Sequence, residues 1–138
     1  MADKIRLKVV TPGRVVLEEE VDEVTAPGVK GEFGVLPNHI SFLTLLEPGE
    51  MSYKQGATRR FLAISGGYAE VLDNVMTVLA PAAEFGVEID VNRARAAREK
   101  AERRLSEIHF EDKNFAAAEQ ALRKSLVRLQ VAGKEARK

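Results

Sequence analysis

Proline and glycine are confined almost entirely to one side of this chain. All five prolines (Pro12, Pro27, Pro37, Pro48, Pro81) precede residue 88, and so do nine of the ten glycines, with Gly133 the exception. Proline lacks a backbone donor and glycine favours turns, so both interrupt regular structure. The first part of the chain must therefore be many short elements, while the rest is free to form long helix. We divide it into a first domain of residues 1–86 and a second of residues 87–138.

The first domain reads as β-structure. Ile5, Leu7 and Val9 alternate with Arg6 and Lys8, the period of a strand with one buried face. Pro12-Gly13 marks a turn. Val21, Glu23 and Thr25 alternate with Asp22, Val24 and Ala26 and give no clean face. Phe61, Ala63 and Ser65 alternate with Leu62 and Ile64, which predicts a strand buried on both sides. Apolar runs at 68–72 and 75–79 flank Asp73-Asn74, a two-residue hairpin connection. Ser65-Gly66-Gly67 has the look of a phosphate loop. It runs into another strand rather than a helix N-terminus, so a bulge or tight bend is the better reading. Short strands at such spacings predict a sandwich or barrel.

The second domain reads as two helices. Asp90 is a good N-cap, and behind it Ala94, Ala97, Ala101, Leu105 and Ile108 follow at helical spacing. Asp112 is a second candidate cap, ahead of Phe115, Ala118, Leu122, Leu126 and Leu129. The short break at 106–112 predicts an antiparallel hairpin. Pairs four apart (Arg95/Glu99, Arg98/Glu102, Glu119/Arg123) support the helices themselves. The seam between them is mostly alanine, which buries little area at about 25 cal/mol per Å². Helices that persist while their docking is weak have the property of a movable element. The fold class expected is α+β, mainly β: a sandwich followed by a two-helix hairpin.

Composition removes several chemistries. The 138 residues include no cysteine, which excludes disulfides and thiolate chemistry and suits a reducing compartment. Two histidines, His39 and His109, leave no multi-histidine metal site. The longest uncharged run, 33–46, holds 14 residues against the 20 or so a spanning helix needs, and the N-terminus lacks a signal-like apolar stretch. No phosphate loop, nucleophile elbow or metalloprotease motif is present. The net charge is zero, but it is a cancellation. Residues 1–88 hold 8 basic and 13 acidic side chains, a net of −5, and residues 89–138 hold 13 and 8, a net of +5.

Two features stand out as candidate contacts. The segment 31–39, with Glu32 and an exposed-looking Phe33 between glycines on a long connection, suits a structural Ω-type loop and a partner-contact loop equally. The run Arg93, Arg95, Arg98, Lys100, Arg103, Arg104 suits a solvated helix face, a phosphate or nucleotide site, or a surface steered to an acidic partner. Nucleic-acid binding is weakened by the interleaved Glu99, Glu102 and Glu107 and by the lack of aromatics. From these features alone, a free-standing adaptor whose basic hairpin binds nucleic acid or an acidic protein is the alternative to the reading that follows.

Three motifs in a fixed order carry a resemblance. GEFGVLPNH at 31–39, SGGYAEV at 65–71 and IDVNRA at 89–94 resemble the corresponding segments of the epsilon subunits of bacterial F-type ATP synthases, over essentially the whole chain. Ile40-Ser41 departs locally from the Ala-Pro usual in that family. The resemblance implies a ten-stranded β-sandwich and an antiparallel helical hairpin in a non-catalytic part of the rotating central stalk. It implies gamma, alpha and beta subunits and the c-ring as partners, no nucleic acid, and a monomer in isolation. The location implied is peripheral, on the cytoplasmic face of the bacterial plasma membrane, without insertion. Val29, Lys30, Gly31, Glu32, Phe33 and His39 correspond to the c-ring contact, with Glu32 its acidic member. The helices of this family fold down on the sandwich or extend along gamma, where they block ATP hydrolysis. Arg103, Arg104, Arg123 and Arg128 are the cations expected to meet the catalytic subunits. No metal or obligatory cofactor is implied. ATP is implied as a regulatory ligand of the folded-down form, at Glu84, Ile89, Asp90, Arg93, Ala94, Lys100, Lys124 and Arg128. Lys100 and Lys124 stand where ATP-binding relatives have arginine, keeping the charge without the planar fork.

Overall fold

A computed structural model describes residues 3–135. Eight strands come first: β1 (Ile5–Thr11), β2 (Arg14–Val21), β3 (Glu23–Gly28), β4 (Gly31–Val35), β5 (Phe42–Gln55), β6 (Thr58–Leu72), β7 (Val75–Leu79) and β8 (Ala83–Phe85). A single 3-10 turn, Gly86–Glu88, leads to helices α1 (Val91–Glu107) and α2 (Phe115–Glu135). The strands pair in the order β2-β1-β7-β6-β5-β3-β4, with β8 added to β6. All neighbours are antiparallel except β1 and β7.

The long strands β5 and β6 make this one hydrogen-bonded path into two layers. Their pairing skips where Leu46 faces Gly67 and Pro48 faces Ser65. Beyond the skip β6 pairs with β7, and before it with β8. The expected ten strands are therefore eight, because β5 and β6 run unbroken through a bend at which shorter strands would be counted separately. Gly66 and Gly67 sit at φ +119° and +106°, values that L side chains rarely adopt. A Cβ on Gly67 would lie 2.0 Å from the Leu79 carbonyl oxygen. The Ser65-Gly66-Gly67 segment is thus a bend rather than an anion cradle. The hairpin turn also holds: Asp73 and Asn74 both have positive φ, 49° and 62°, as a two-residue turn of this kind requires.

Within the sandwich Ile5, Leu7, Val9, Val21, Val24, Met51, Leu62, Ile64, Val71, Met76 and Val78 are buried. The ambiguous stretch at 21–26 resolves as two strands broken at Asp22, so the buried phase passes from Val21 to Val24 and Ala26. A second, smaller cluster lies outside the sandwich. Ala63 on the outer face of β6 joins Ile89, Ala94, Val131 and Ala132, with Phe61, Val91, Val127 and Leu129 around them. This accounts for the strand at 61–65 being apolar on both phases: one face looks into the sandwich and the other lies under α2.

The helices differ from expectation in detail. Asp90 caps α1, accepting from the Arg93 N–H at 3.1 Å. Asp112 does not cap α2. Its carboxylate accepts from Asn114 N at 2.8 Å within the connecting turn, and α2 starts at Phe115. Ile108 closes α1 rather than continuing its stripe. Leu126, expected in the seam, is 46% exposed. The reason is that α2 has two partners. Ala118 meets α1, while Ser125, Val131, Ala132 and Glu135 are buried on turns that also face the sheet. Of the expected pairs four apart, Arg98–Glu102 is present at 3.6 Å, whereas Arg123 turns away to Glu47.

Gly67→Ala is expected to destabilise the sandwich by about 2–4 kcal/mol, the range for backbone clash added to an unfavourable φ. Gly13→Ala, where an added Cβ meets nothing within 4 Å, should stay within about 0.5 kcal/mol. Urea unfolding of the two variants checks both values.

Candidate functional site

The charge asymmetry of the sequence becomes contact between α2 and the sandwich. Arg123 Nη2 lies 2.6 Å from Glu47, Arg128 Nε 2.7 Å from Glu84, and Lys134 Nζ 2.8 Å from Glu50. Gln130 adds a bond to Glu50 at 3.2 Å. The Arg128–Glu84 pair is two-pronged, with Nη2 3.2 Å from the second carboxylate oxygen. One pair runs the other way: Glu135 at the end of α2 meets Arg60 of β6 at 2.9 Å. The exposed and half-buried pairs at Arg123, Arg128 and Lys134 contribute little each, about 0–1 kcal/mol. Together with a small apolar cluster they hold the hairpin without fusing it to the core.

The residues expected to bind ATP are only partly brought together. A cavity of about 290 Å³ opens between the helices and β6, lined by Ala63, Ala97, Ala121 and Val127 with Glu84, Lys124 and Arg128 among its polar members. This is near the lower end of the size of ligand sites. Lys100 lies in a separate groove with Ala97, Ala101, Arg104 and Ala121. Ile89 and Ala94 are buried in the small cluster, Asp90 serves as the cap, and Arg93 is exposed. Arg128 already holds a carboxylate in its fork, the geometry that would take a phosphate.

The segment 31–39 is not one long loop. Gly31–Val35 is the edge strand β4, paired with β3 so that Gly28 faces Gly31. Val29, Lys30, Gly31 and Glu32 are exposed at the tip of that hairpin. Phe33 is tucked in rather than presented. Its ring packs edge-on to Phe42 at 5.4 Å, and a Cβ on Gly28 would meet it at 3.0 Å. The His39 ring lies tilted against Phe42, centroids 5.1 Å apart, with Nδ1 2.8 Å from the Ile40 carbonyl oxygen. The tip is therefore mounted on an aromatic cluster, with Leu36 and Ile40 exposed beside it at 58% and 78%.

A further surface went unread in the sequence. Leu45 on β5, Tyr68 on β6 and Leu79 on β7 stand opposite one another across the outer face, joined by Leu43. All four are exposed. The run Phe42-Leu43-Thr44-Leu45-Leu46 is apolar on both phases of a strand, and that was the available signal. Of the hairpin's anchors, Glu47, Glu50, Arg60 and Glu135 were also unread, because single charges far apart in sequence have no local pattern. Arg103 and Arg104 are exposed on α1, whereas Arg123 and Arg128 are engaged with the sandwich.

Among the described residues no cluster of His, Asp and Glu could hold a metal, and no helix is long and apolar enough to cross a membrane. The geometry defines a class: a β-sandwich scaffold with a helical hairpin docked by charge on its outer face. Family comparison agrees. Residues 4–86 match the ATP synthase delta/epsilon chain β-sandwich domain, and residues 88–133 match the long α-helix domain of the same chains. The chain is 57% identical over 134 residues to the ATP synthase epsilon chain of Syntrophobacter fumaroxidans, covering 97% of this chain and 99% of that one. It is 49% identical over 138 residues to the epsilon chain of Citrifermentans bemidjiense, covering all of both. A chain in the cryo-EM structure of the Euglena gracilis mitochondrial ATP synthase OSCP/F1/c-ring superposes with a TM-score of 0.78 at 26% identity, covering 98% of this chain and 82% of that one. The protein belongs to the ATP synthase delta/epsilon chain family, as a non-catalytic, epsilon-type member.

Docking by charge makes the hairpin salt-sensitive. Raising sodium chloride from about 0.01 M to about 1 M shortens the screening length from about 30 Å to about 3 Å. Amide protection in α2 should fall across that range while the strands of the sandwich keep theirs, as hydrogen exchange would record.

Proposed function

We propose that this chain is a rotor-stalk subunit that couples the catalytic head of an F-type ATP synthase to its c-ring, and restrains ATP hydrolysis through its helical hairpin. In this reading the bare stripe of Leu43, Leu45, Tyr68 and Leu79 packs on gamma. The tip at 29–32, with Glu32, rests on the c-ring. The protein then sits peripherally on the cytoplasmic face of the bacterial plasma membrane, held by the complex.

The observation that carries the regulatory part is the use of the same cations for docking. Arg123 and Arg128 are paired with Glu47 and Glu84 in the docked hairpin. They become available to acidic segments of the alpha and beta subunits, alongside Arg103 and Arg104, only if the hairpin leaves. Docking and inhibition are then mutually exclusive. A ligand shifts such a balance by its differential affinity for the two states. ATP held at the cavity beside Glu84, Lys124 and Arg128 spans the sandwich and α2, so it favours the docked, non-inhibitory form. Binding there requires the phosphates to share or displace the Glu84 carboxylate on Arg128, and requires Lys100 and Arg93 to turn toward the ligand.

Ending the chain after Glu88 is expected to leave a folded sandwich that assembles and to raise the ATPase activity of the reconstituted complex. Unchanged hydrolysis would remove the inhibitory reading. For the nucleotide, calorimetry on the full chain should show ATP binding weakened about tenfold or more, ~1.4 kcal/mol, in Arg128→Ala and Asp90→Asn. The second change keeps a capping acceptor, so a loss there reports on the ligand rather than on the helix. No heat at several millimolar ATP would eliminate ATP as a regulator and leave the coupling role intact.

A further inference from the structure

Glu135 is the one buried charged side chain among the described residues, with no solvent exposure of its carboxylate arm. Its Oε2 accepts from Arg60 Nε at 2.9 Å and from the Phe61 N–H at 3.3 Å. Its Oε1 accepts from the Val87 N–H at 3.2 Å, with Arg60 Nη2 at 3.5 Å. These donors come from β6 and from the link between sandwich and hairpin, the two segments on which α2 must land.

The receiving cradle is built from parts that belong to the sandwich side. The Arg60 guanidinium lies over the Phe85 ring at 4.5 Å, and Phe85 is edge-on to the buried Tyr53 at 6.4 Å. Gly86 supplies the space. A Cβ there would lie 2.6 Å from Glu135 Cγ and 2.6 Å from the Val131 carbonyl oxygen. Burial pushes the Glu135 pKa up, but Arg60 and the two backbone N–H groups outweigh it and hold it below the ordinary glutamate value. The buried group is therefore an ion at neutral pH, satisfied by a charged donor and two fixed amides. Losing the charge leaves the cradle's donors poorly matched, which costs far more than losing an exposed pair.

Position adds leverage. The helix that lies on β5 and β6 is α2, and α1 packs mainly on α2. A clasp at the last turn of α2 thus holds both helices. We propose that Glu135 is an intramolecular latch, whose carboxylate in the Arg60, Phe61 and Val87 cradle sets the docked fraction of the hairpin without any nucleotide. This rests on the reading of the hairpin as a mobile element. It adds a second control that acts at the last turn of α2, well beyond Arg123.

The test is hydrogen exchange on the full chain, with no nucleotide and no other subunit, at neutral pH. Glu135→Gln and Gly86→Ala are each expected to speed exchange of α1 and α2 amides about tenfold or more, while β1 and β7 amides keep their native rates. Lys134→Ala, which removes the neighbouring exposed pair with Glu50, should change helix exchange by less than about threefold. Helix exchange in Glu135→Gln and Gly86→Ala within about threefold of the native chain would overturn the latch. So would an equal effect from Lys134→Ala, or an equal rise in β1 and β7, which would mark a general loss of stability. A failed latch leaves the rotor-stalk reading standing, since relief of inhibition on removing the hairpin does not depend on what holds the hairpin down.

Discussion

The bent ribbon of β5 and β6 is the element on which every other part leans. Its two halves pair with different neighbours, so it makes a sandwich out of one continuous sheet path. The bend needs the backbone of Gly66 and Gly67, and at Gly67 it needs the absence of any side chain. The ribbon also has three uses beyond pairing its neighbours. One end of β6 receives α2 at Ala63 and Phe61. The other end, with β5 and β7, displays the apolar stripe through Leu45, Tyr68 and Leu79. Beyond that, Phe42 supports the aromatic mount of the 29–32 tip. The helix dock, the apolar stripe and the tip thus sit on one stiff beam, so their relative positions are set by sheet geometry rather than by loops.

Charge divides the labour between the two domains. The sandwich is acidic and the hairpin basic, and the net neutrality of the chain conceals this. Among the described residues, three of the four ion pairs from α2 put a hairpin cation on a sandwich carboxylate. The fourth, at Glu135, is reversed in sign and differs in kind, because its carboxylate is fully buried. Exposed pairs steer and orient with little net free energy. A buried carboxylate is less tolerant, because losing its partner leaves an uncompensated buried charge. The interface thus combines a diffuse, screenable attraction with a single stringent contact.

How much of this was legible in the sequence follows from how local each signal is. The Asp73-Asn74 turn, the Asp90 cap and the doubly apolar strand at 61–65 are written in adjacent residues, and all three appear as read. The segment at 31–39 misled because its glycines looked like loop punctuation. Gly31 instead turns the β3–β4 hairpin at φ +120°, and Gly34 lies within the edge strand, paired with Thr25. Asp112 misled because a short acidic residue serves a turn as readily as a helix start. The docking partners could not be read at all. Glu47, Glu50, Arg60 and Glu135 are ordinary surface residues until the chain brings together positions some 75 apart in sequence. The sequence of α2 suggests a single apolar stripe, but a helix with two partners needs two faces, which shifts Leu126 out to solvent.

Weak docking is a requirement of the proposed function rather than a defect. If Ala94, Ala97, Ala101 and Ala118 were leucines, the seam would bury more area and the hairpin would settle into one permanent arrangement. Alanine keeps the stabilisation low enough for a ligand or a partner to compete, since either can shift the balance only by its own differential affinity. A weakly docked helix pair would on its own drift among many poses. Exposed ion pairs tolerate such drift, because long side chains can follow a moving partner. A carboxylate that must meet one guanidinium and two backbone N–H groups at once cannot follow, and Gly86 leaves room for it in one pose. Low affinity and a single docked geometry are therefore compatible here, with alanine supplying the first and Glu135 the second.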